Sequence, residues 1–283
     1  STSAGASLGH LILDPGGAFM QSSPLGSSDI IFTKFDSSLQ PVWSSYYGGG
    51  STDNFQSVTS DWQGRVCFAG YTYSSDFTTY DPGSGAYYKA STANNSNIIN
   101  PYIVRFSDDN QINWATTYSD STYFDGVEVG SNDLLYVTGR TWALTFDIYN
   151  ETGSYNDASY NGGSSDYVFL KFDNLGTRQW ATYYGGTDYE GGGLSGRSGI
   201  NVYFDPCATE SKIVVFGGTK SVDFPTLNSG GGAVFQGSIT NTTAPVIIQF
   251  NETTISGESV APTSASANPA SVCSGVLPCK KGV

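Results

Sequence analysis

The stretch KFDNLGTRQWATYYGG, residues 171–186, decides the fold. It predicts a β-hairpin, because two runs rich in aromatic and β-branched residues flank a tight turn and the second run ends in paired glycines. Near-copies at 34–49 and 105–120 show that this hairpin is a repeated unit. In every copy a Phe precedes a Trp by eight residues: Phe35 and Trp43, Phe106 and Trp114, Phe172 and Trp180.

A second part of the repeat follows each hairpin as a strand-like run that closes on glycine, namely RVCFAGYT, LLYVTGRT and IVVFGGTK. A Thr lies two residues after that glycine and a Phe seven residues after it. The period is about 66 to 78 residues. Each unit is predicted to hold four strands, which in the first unit lie near 29–35, 40–47, 54–60 and 65–72. The residues that share these spacings are Gly70, Thr72 and Phe77; Gly139, Thr141 and Phe146; and Gly217, Thr219 and Phe224.

Bulky residues on both faces of the first strand, among them Ile31 and Phe32, indicate a sheet that is covered on both sides. We therefore predict an all-β fold, a β-propeller of four-stranded antiparallel blades. The N-terminal run matches the end of a unit, and the fourth copy stops soon after Phe250, so a four-bladed ring would share its last blade between the two terminal segments. The predicted bounds are blades at 28–100, 101–165, 166–243 and 244–258 plus 1–27, then an extended tail at 259–283.

The composition excludes several classes of partner. The chain has 25 Asp+Glu against 12 Lys+Arg, a net charge of −13, which argues against binding to nucleic acid or to anionic membrane surfaces. No apolar run reaches the length of a membrane-spanning helix, so no membrane insertion is expected. The chain begins at Ser1 rather than Met, which fits a processed form or a fragment of a longer product.

The repeats resemble the SBBP family, a bacterial β-propeller repeat of extracellular proteins. The matching residues of the first copy are Lys34-Phe35-Asp36, Trp43, Tyr46-Tyr47-Gly48-Gly49, Gly70-Tyr71-Thr72 and Asp76-Phe77; those of the third are Lys171-Phe172-Asp173, Trp180, Gly185-Gly186 and Asp223-Phe224-Pro225. The resemblance covers roughly residues 10–255, and the middle copy departs from it at 118–120 and 145–146. It implies a secreted or cell-surface scaffold and brings no catalytic residues. The tail is weakly similar to the start of an Ig-like module of Bacteroidota surface proteins.

Catalytic and metal sites find little support in the sequence. His10 is the only histidine, and no nucleophile motif accompanies it. Paired carboxylates can serve a glycosidase, but the acidic residues after the paired glycines recur with the repeat, which favours turn formation. We expect no cofactor; calcium held by such turns is an alternative, but no D-x-D-x-D-G loop is present to support it. The acidic residues are Asp53, Asp120, Asp188 and Glu190.

The four cysteines permit two disulfides but do not demand them. Cys273 and Cys279 could close a small disulfide loop, whereas Cys67 lies in a predicted strand and could be a buried thiol; the sequence leaves the state of Cys207 open. In a secreted protein from a glycosylating host, four sequons are candidate N-glycan sites, at Asn94, Asn150, Asn241 and Asn251.

Two tryptophans stand outside the repeat. Trp62 and Trp142 are therefore the candidates for exposed contacts, for instance with glycans, whereas the tryptophans that recur are expected to pack between blades.

The tail at 259–283 has few bulky apolar residues, and such a segment is ordered only against a partner surface. It could fold back on its own ring or add to the incomplete blade of a neighbouring copy. We predict a non-enzymatic, secreted structural protein that polymerises with copies of itself through this tail. A glycan-binding adhesin is the alternative, and a glycosidase-like enzyme comes third.

Overall fold

The computed structural model describes residues 12–93, 98–130, 133–191, 198–205, 210–227, 243–252 and 263–264; for 201–205, 210–211, 251–252 and 263–264 it describes the backbone alone. This part of the chain contains β-strands and no helix, which confirms the all-β prediction. The strands are β1 Ile30–Phe35, β2 Pro41–Tyr47, β3 Asp53–Ser60, β4 Val66–Thr72, β5 Asn100–Phe106, β6 Ile112–Thr117, β7 Thr122–Val129, β8 Leu135–Thr141, β9 Asp166–Phe172, β10 Arg178–Tyr184, β11 Glu190–Gly191, β12 Gly199–Asp205, β13 Glu210–Thr219, β14 Ala244–Glu252 and β15 Thr263–Ser264.

The hairpin at 171–186 is built as its sequence predicts, with β9 and β10 antiparallel. Asp173 fixes the turn, because its Oδ1 accepts the backbone N–H groups of Leu175 and Thr177 at 2.9 and 2.8 Å. Gly176 has a φ of +83°, and a Cβ there would lie 2.7 Å from the ring of Trp114 on the neighbouring sheet. Glycine is therefore required both by the turn and by the packing.

The strands form four antiparallel sheets. Sheet I is β1-β2, sheet II is β3-β4-β5-β6, sheet III is β7-β8-β9-β10, and sheet IV is built on β13 with β11 and β12 on one side and β14-β15 on the other. The predicted four-stranded antiparallel sheets are thus confirmed for sheets II and III. All four strands of the first predicted unit exist, within a residue of the expected bounds.

The sheets are offset from the sequence repeat by half a unit, so their bounds differ from the predicted blades. Each full sheet combines the last two strands of one unit with the first two strands of the next. The chain between β4 and β5 makes a long excursion and returns to pair with β4, whereas the paired glycines after β2 pass the chain on to sheet II. As a result β14, expected to open a shared fourth blade, is an inner strand of sheet IV.

The recurring tryptophans pack between sheets, as predicted. Their positions follow from a bulge that interrupts the hairpin register just before each Trp. All three side chains are buried, and each indole Nε1–H donates to a backbone carbonyl of the long loop that covers it. The pairs are Trp43 with Phe19 at 3.0 Å, Trp114 with Tyr87 at 2.8 Å and Trp180 with Tyr155 at 2.7 Å.

Apolar clusters join successive sheets. One lies between sheets I and II and includes Ile30 and Phe106, a second lies between II and III and includes Ile103 and Leu170, and a third lies between III and IV around Phe250. Among the described residues no such cluster joins sheet IV to sheet I. The described sheets therefore form a series in the order I, II, III, IV.

A buried ion network reinforces the contact between sheets II and III. The guanidinium of Arg105 lies 3.2 Å from Asp61 Oδ2, and both side chains are almost fully buried. Arg65 bridges the same Asp61, at 2.5 Å, to Asp133 at 2.9 Å. Burial raises the pKa of Asp61, but hydrogen bonds and charge from Arg65 outweigh that effect and hold it below the usual value.

Candidate functional site: an incomplete sheet

Sheet I has two strands, half the number in sheet II or sheet III. Its strand β1 corresponds in the repeat to β5, β9 and β14, and each of those pairs on its inner side with β4, β8 or β13. In the part of the chain that the structure describes, β1 as a strand pairs only with β2. With respect to the described strands, the inner edge of β1 therefore presents backbone N–H and C=O groups without a neighbour.

The surface beneath that edge is apolar. On β3 of sheet II, Phe55 is 45% exposed and Val58 is 57% exposed. Their counterparts on β7 are Phe124 and Val127, which pair with the equivalent positions of the next strand in the repeat. These two side chains are only 0% and 1% exposed. We call the inner edge of β1 together with Phe55 and Val58 the open edge. Its side chains are apolar, like those of a protein interior, but they are exposed to solvent.

Two carboxylates lie at one end of the open edge and fix the loop that follows β2. A Cβ on Gly48 would lie within about 3 Å of both Asp29 and Asp53, which leaves room for glycine only. Asp53 accepts the N–H of Gly49 at 2.8 Å and the hydroxyl of Ser74 at 3.1 Å. Burial raises its pKa, and these hydrogen bonds partly offset that effect. The buried Asp53 side chain, at the start of β3, thus holds the loop that follows β2 in place.

The corresponding pair between sheets III and IV is unusual. Asp166 and Glu190 are both fully buried and flank Gly185. Glu190 Oε1 accepts hydroxyls from Thr219, at 2.8 Å, and Ser221, but Glu190 Oε2 and Asp166 Oδ1 have no hydrogen-bond partner. Burial raises the pKa of both carboxyls. The two partnerless oxygens indicate that the pair holds a proton in the folded state.

The middle repeat has neutral groups at these positions, since Asn100 replaces Asp166 and Thr122 replaces Glu190. The described residues contain no group of three or more His, Cys, Asp or Glu side chains placed to hold a metal ion. Of the other acidic candidates, Asp188 is exposed, and Asp120 is partly exposed and lies 3.6 Å from Lys89 Nζ.

Trp62 and Trp142 are exposed, at 78% and 38%, but the structure does not bring them together. Trp62 lies in the β3–β4 turn, at the opposite end of the sheets from Trp142, which follows β8. Trp142 instead packs against Tyr123 with ring centroids 4.9 Å apart, and Tyr123 packs against Tyr71 at 4.2 Å. The guanidinium of Arg140 covers the Tyr123 ring.

Asn150 is the one sequon asparagine whose side chain the structure describes, and it is exposed. The other three sequon asparagines, Asn94, Asn241 and Asn251, lie outside the described side chains. The same is true of Cys207, Cys273, Cys279 and His10. Cys67 is a buried thiol without a disulfide, and burial raises its pKa to about 12.

No family model matches the chain, and no curated protein matches it either. Among the described residues no helix has the length and apolar character needed to cross a membrane.

The incomplete edge predicted after Phe250 falls on residues outside the described ones and stays a prediction, whereas among the described strands the incomplete sheet is sheet I, at β1. The signal that could have located it is the paired glycine after each Trp strand, because that is where the chain changes sheets.

Proposed function

We propose that this protein is a non-enzymatic, extracellular structural subunit, a β-propeller in architecture, that assembles with copies of itself by strand addition at the open edge. One observation carries the proposal: β1 offers an unfilled strand position above Phe55 and Val58, whose counterparts are buried in the next sheet. Extended segments add to such edges, gaining backbone hydrogen bonds from the edge and specificity from the side-chain contacts beneath it.

The proposed donor is the segment 265–283 of a second copy. Thr263 and Ser264 pair with β14 of their own sheet IV, so the donor begins beyond them. The nineteen residues from there to Val283 can reach roughly 60 Å when extended. Their run VCSG at 272–275 parallels VCFAG at 66–70, which forms β4, a strand of the kind that sheet I lacks.

The extracellular location is supported by the SBBP resemblance, the acidic composition and the exposed Asn150 sequon. The closure of the propeller and the number of its blades belong to this proposal. A four-bladed ring would need sheet I to be completed, and the proposed donor is what completes it.

The test uses the full chain, a chain lacking 265–283 and the variant Val58→Asp. We expect the unaltered protein to form filaments in negative-stain images, and both altered proteins to stay monomeric, because the first lacks the donor and the second places a charge where the donor packs. Leu144→Asp, at a residue in the turn after β8 that is 78% exposed, is the matched control and should assemble normally. Filaments from the truncated chain would disprove the proposal.

A glycan-binding role is a second candidate, favoured by the aromatic cluster of Tyr71, Tyr123 and Trp142. Sugar rings pack on such aromatic surfaces, and Arg140, which bonds Asp125 at 3.2 Å, supplies a polar group beside them. We expect Trp142→Ala to reduce retardation in native gels that contain hydroxyethylcellulose or soluble starch at least tenfold. Trp62→Ala, at the far end of the sheets, should leave retardation unchanged. Equal effects of the two substitutions, or no retardation of the unaltered protein, would refute this role.

A further inference from the structure

Arg140, near the end of β8, has a guanidinium that is held on one side and free on the other. Its Nε donates to Asp125 Oδ2 at 3.2 Å, and its Cζ lies 5.0 Å from the centroid of the Tyr123 ring. Within the part of the chain that the structure describes, its Nη1 and Nη2 have no hydrogen-bond partner. The side chain is 20% exposed, and these two nitrogens are open to solvent.

Asp125 is the group that fixes this guanidinium. It is the extra residue of a β-bulge in β7, because the register with β8 shifts between Phe124 and Gly126. Its side chain is buried, and Oδ2 also accepts the backbone N–H and the hydroxyl of Ser198, each at 3.4 Å. An arginine anchored in this way has less freedom to lose when its remaining nitrogens bind a ligand.

The pair of Asp125 and Arg140 occurs in one repeat unit. Residues that serve the packing of the sheets recur from unit to unit, as the buried tryptophans do. The equivalent positions are filled by Gln56 and Tyr71 in sheet II, and by Ser198 and Gly218 in sheet IV. The pair is therefore not explained by the packing that all units share.

Aromatic rings lie beside the free side of the guanidinium. Tyr123 contacts Tyr71 on one side and Trp142 on the other, and the ring centroid of Tyr73 lies 6.1 Å from that of Tyr71. The three tyrosines are half-buried, and Trp142 is 38% exposed, so parts of the rings face solvent. A sugar ring packed on this cluster would carry its substituents close to Arg140.

The chemistry of the free nitrogens selects among sugars. Two N–H-bearing nitrogens on one planar, charged group match the two oxygens of a carboxylate, and such charge-assisted bidentate pairs are stronger than hydrogen bonds between neutral groups. We infer that the saccharide bound at this cluster is a uronic acid, whose carboxylate is bound by Arg140 while its ring packs on the aromatic side chains. The inference rests on the glycan-binding candidate and names its ligand class.

The test measures retardation in native gels that contain polygalacturonate, alginate or hyaluronate, each compared with its methyl ester. The ester keeps the sugar chain and removes the charge. We expect the acid forms to bind the unaltered protein roughly tenfold or more tightly than the esters. Arg140→Gln should abolish this preference, and Arg140→Lys should restore only part of it, because lysine keeps the charge but not the planar fork.

Two further variants complete the set. Asp125→Asn should reduce the preference for the acid forms without changing retardation by the esters, because it loosens the anchor of Arg140 and leaves the aromatic rings in place. Lys89→Gln removes one partly exposed positive charge outside the cluster and should leave both kinds of retardation unchanged.

The outcomes separate the inference from the role on which it rests. If acids and esters bind equally, or if Arg140→Gln keeps the preference, the inference is wrong while glycan binding stands on the effect of Trp142→Ala in neutral gels. An equal loss of preference in Lys89→Gln would show a general effect of surface charge and would also overturn it. If no polysaccharide, charged or neutral, retards the unaltered protein, the glycan-binding role itself fails.

Discussion

Asp61→Asn is expected to lower the free energy of unfolding by about 3 to 5 kcal/mol, because it leaves the buried Arg105 without its counter-charge. Arg105 is almost fully buried, and its one other acceptor among the described residues is the carbonyl oxygen of Asn174 at 3.2 Å. The asparagine keeps the oxygen that accepts the turn amides of Gln63 and Arg65, so the change removes charge without removing the turn. Urea unfolding followed by tryptophan fluorescence measures the loss.

Arg105→Met is the companion variant, and it should cost clearly less. Asp61 would still be paired with Arg65 and capped by the turn, and the methionine would fill the apolar space. Equal losses for the two variants, or a loss below about 1 kcal/mol for Asp61→Asn, would contradict the view that Arg105 is the group left uncompensated.

Glu190→Gln is expected to make the protein more stable at pH 8 and to change little at pH 4. Burial raises the pKa of Glu190 and Asp166 in the folded state, so the folded protein binds more protons than the unfolded chain. This contribution is fully present below the unfolded pKa of about 4 and is lost as the pH rises through the folded pKa. The glutamine amide would donate permanently to Asp166 and remove that loss.

The expected gain at pH 8 is at least about 1.4 kcal/mol, the equivalent of one pKa unit. Urea unfolding at several pH values from 4 to 9 measures it. Asp223→Asn is the control with the opposite sign, because the backbone N–H of Thr187 lowers the pKa of this exposed carboxyl and its contribution is lost as the pH falls. A constant difference between Glu190→Gln and the unaltered protein at all pH values would show that the pair holds no proton.

Local structure was readable from the sequence because it depends on neighbours along the chain. The turn at Asp173 and Gly176, and the strand bounds of the first unit, follow from residue type and spacing alone. The burial of Trp43, Trp114 and Trp180 could also be inferred, because each recurs at the same place in its unit.

The grouping of strands into sheets could not be read in this way. A repeat has no intrinsic starting point, so a four-strand period is compatible with several choices of which strands pair. The excursion between Thr72 and Asn100 looks like a boundary between blades, yet β4 and β5 are hydrogen-bonded neighbours. For this reason the edge at β1 could not be recognised from the sequence, and the exposure of Phe55 and Val58 became apparent only from the three-dimensional contacts.

The half-unit offset of the sheets also bears on how such an array grows. A duplicated repeat inserted into the chain brings the end of one sheet and the beginning of another, and its neighbours complete both. The pairing of strands between consecutive units is therefore the same whatever the number of repeats. The exception is the two-stranded sheet of β1 and β2, which duplication of the repeat does not remove. This sheet needs strands from outside the repeat to complete it.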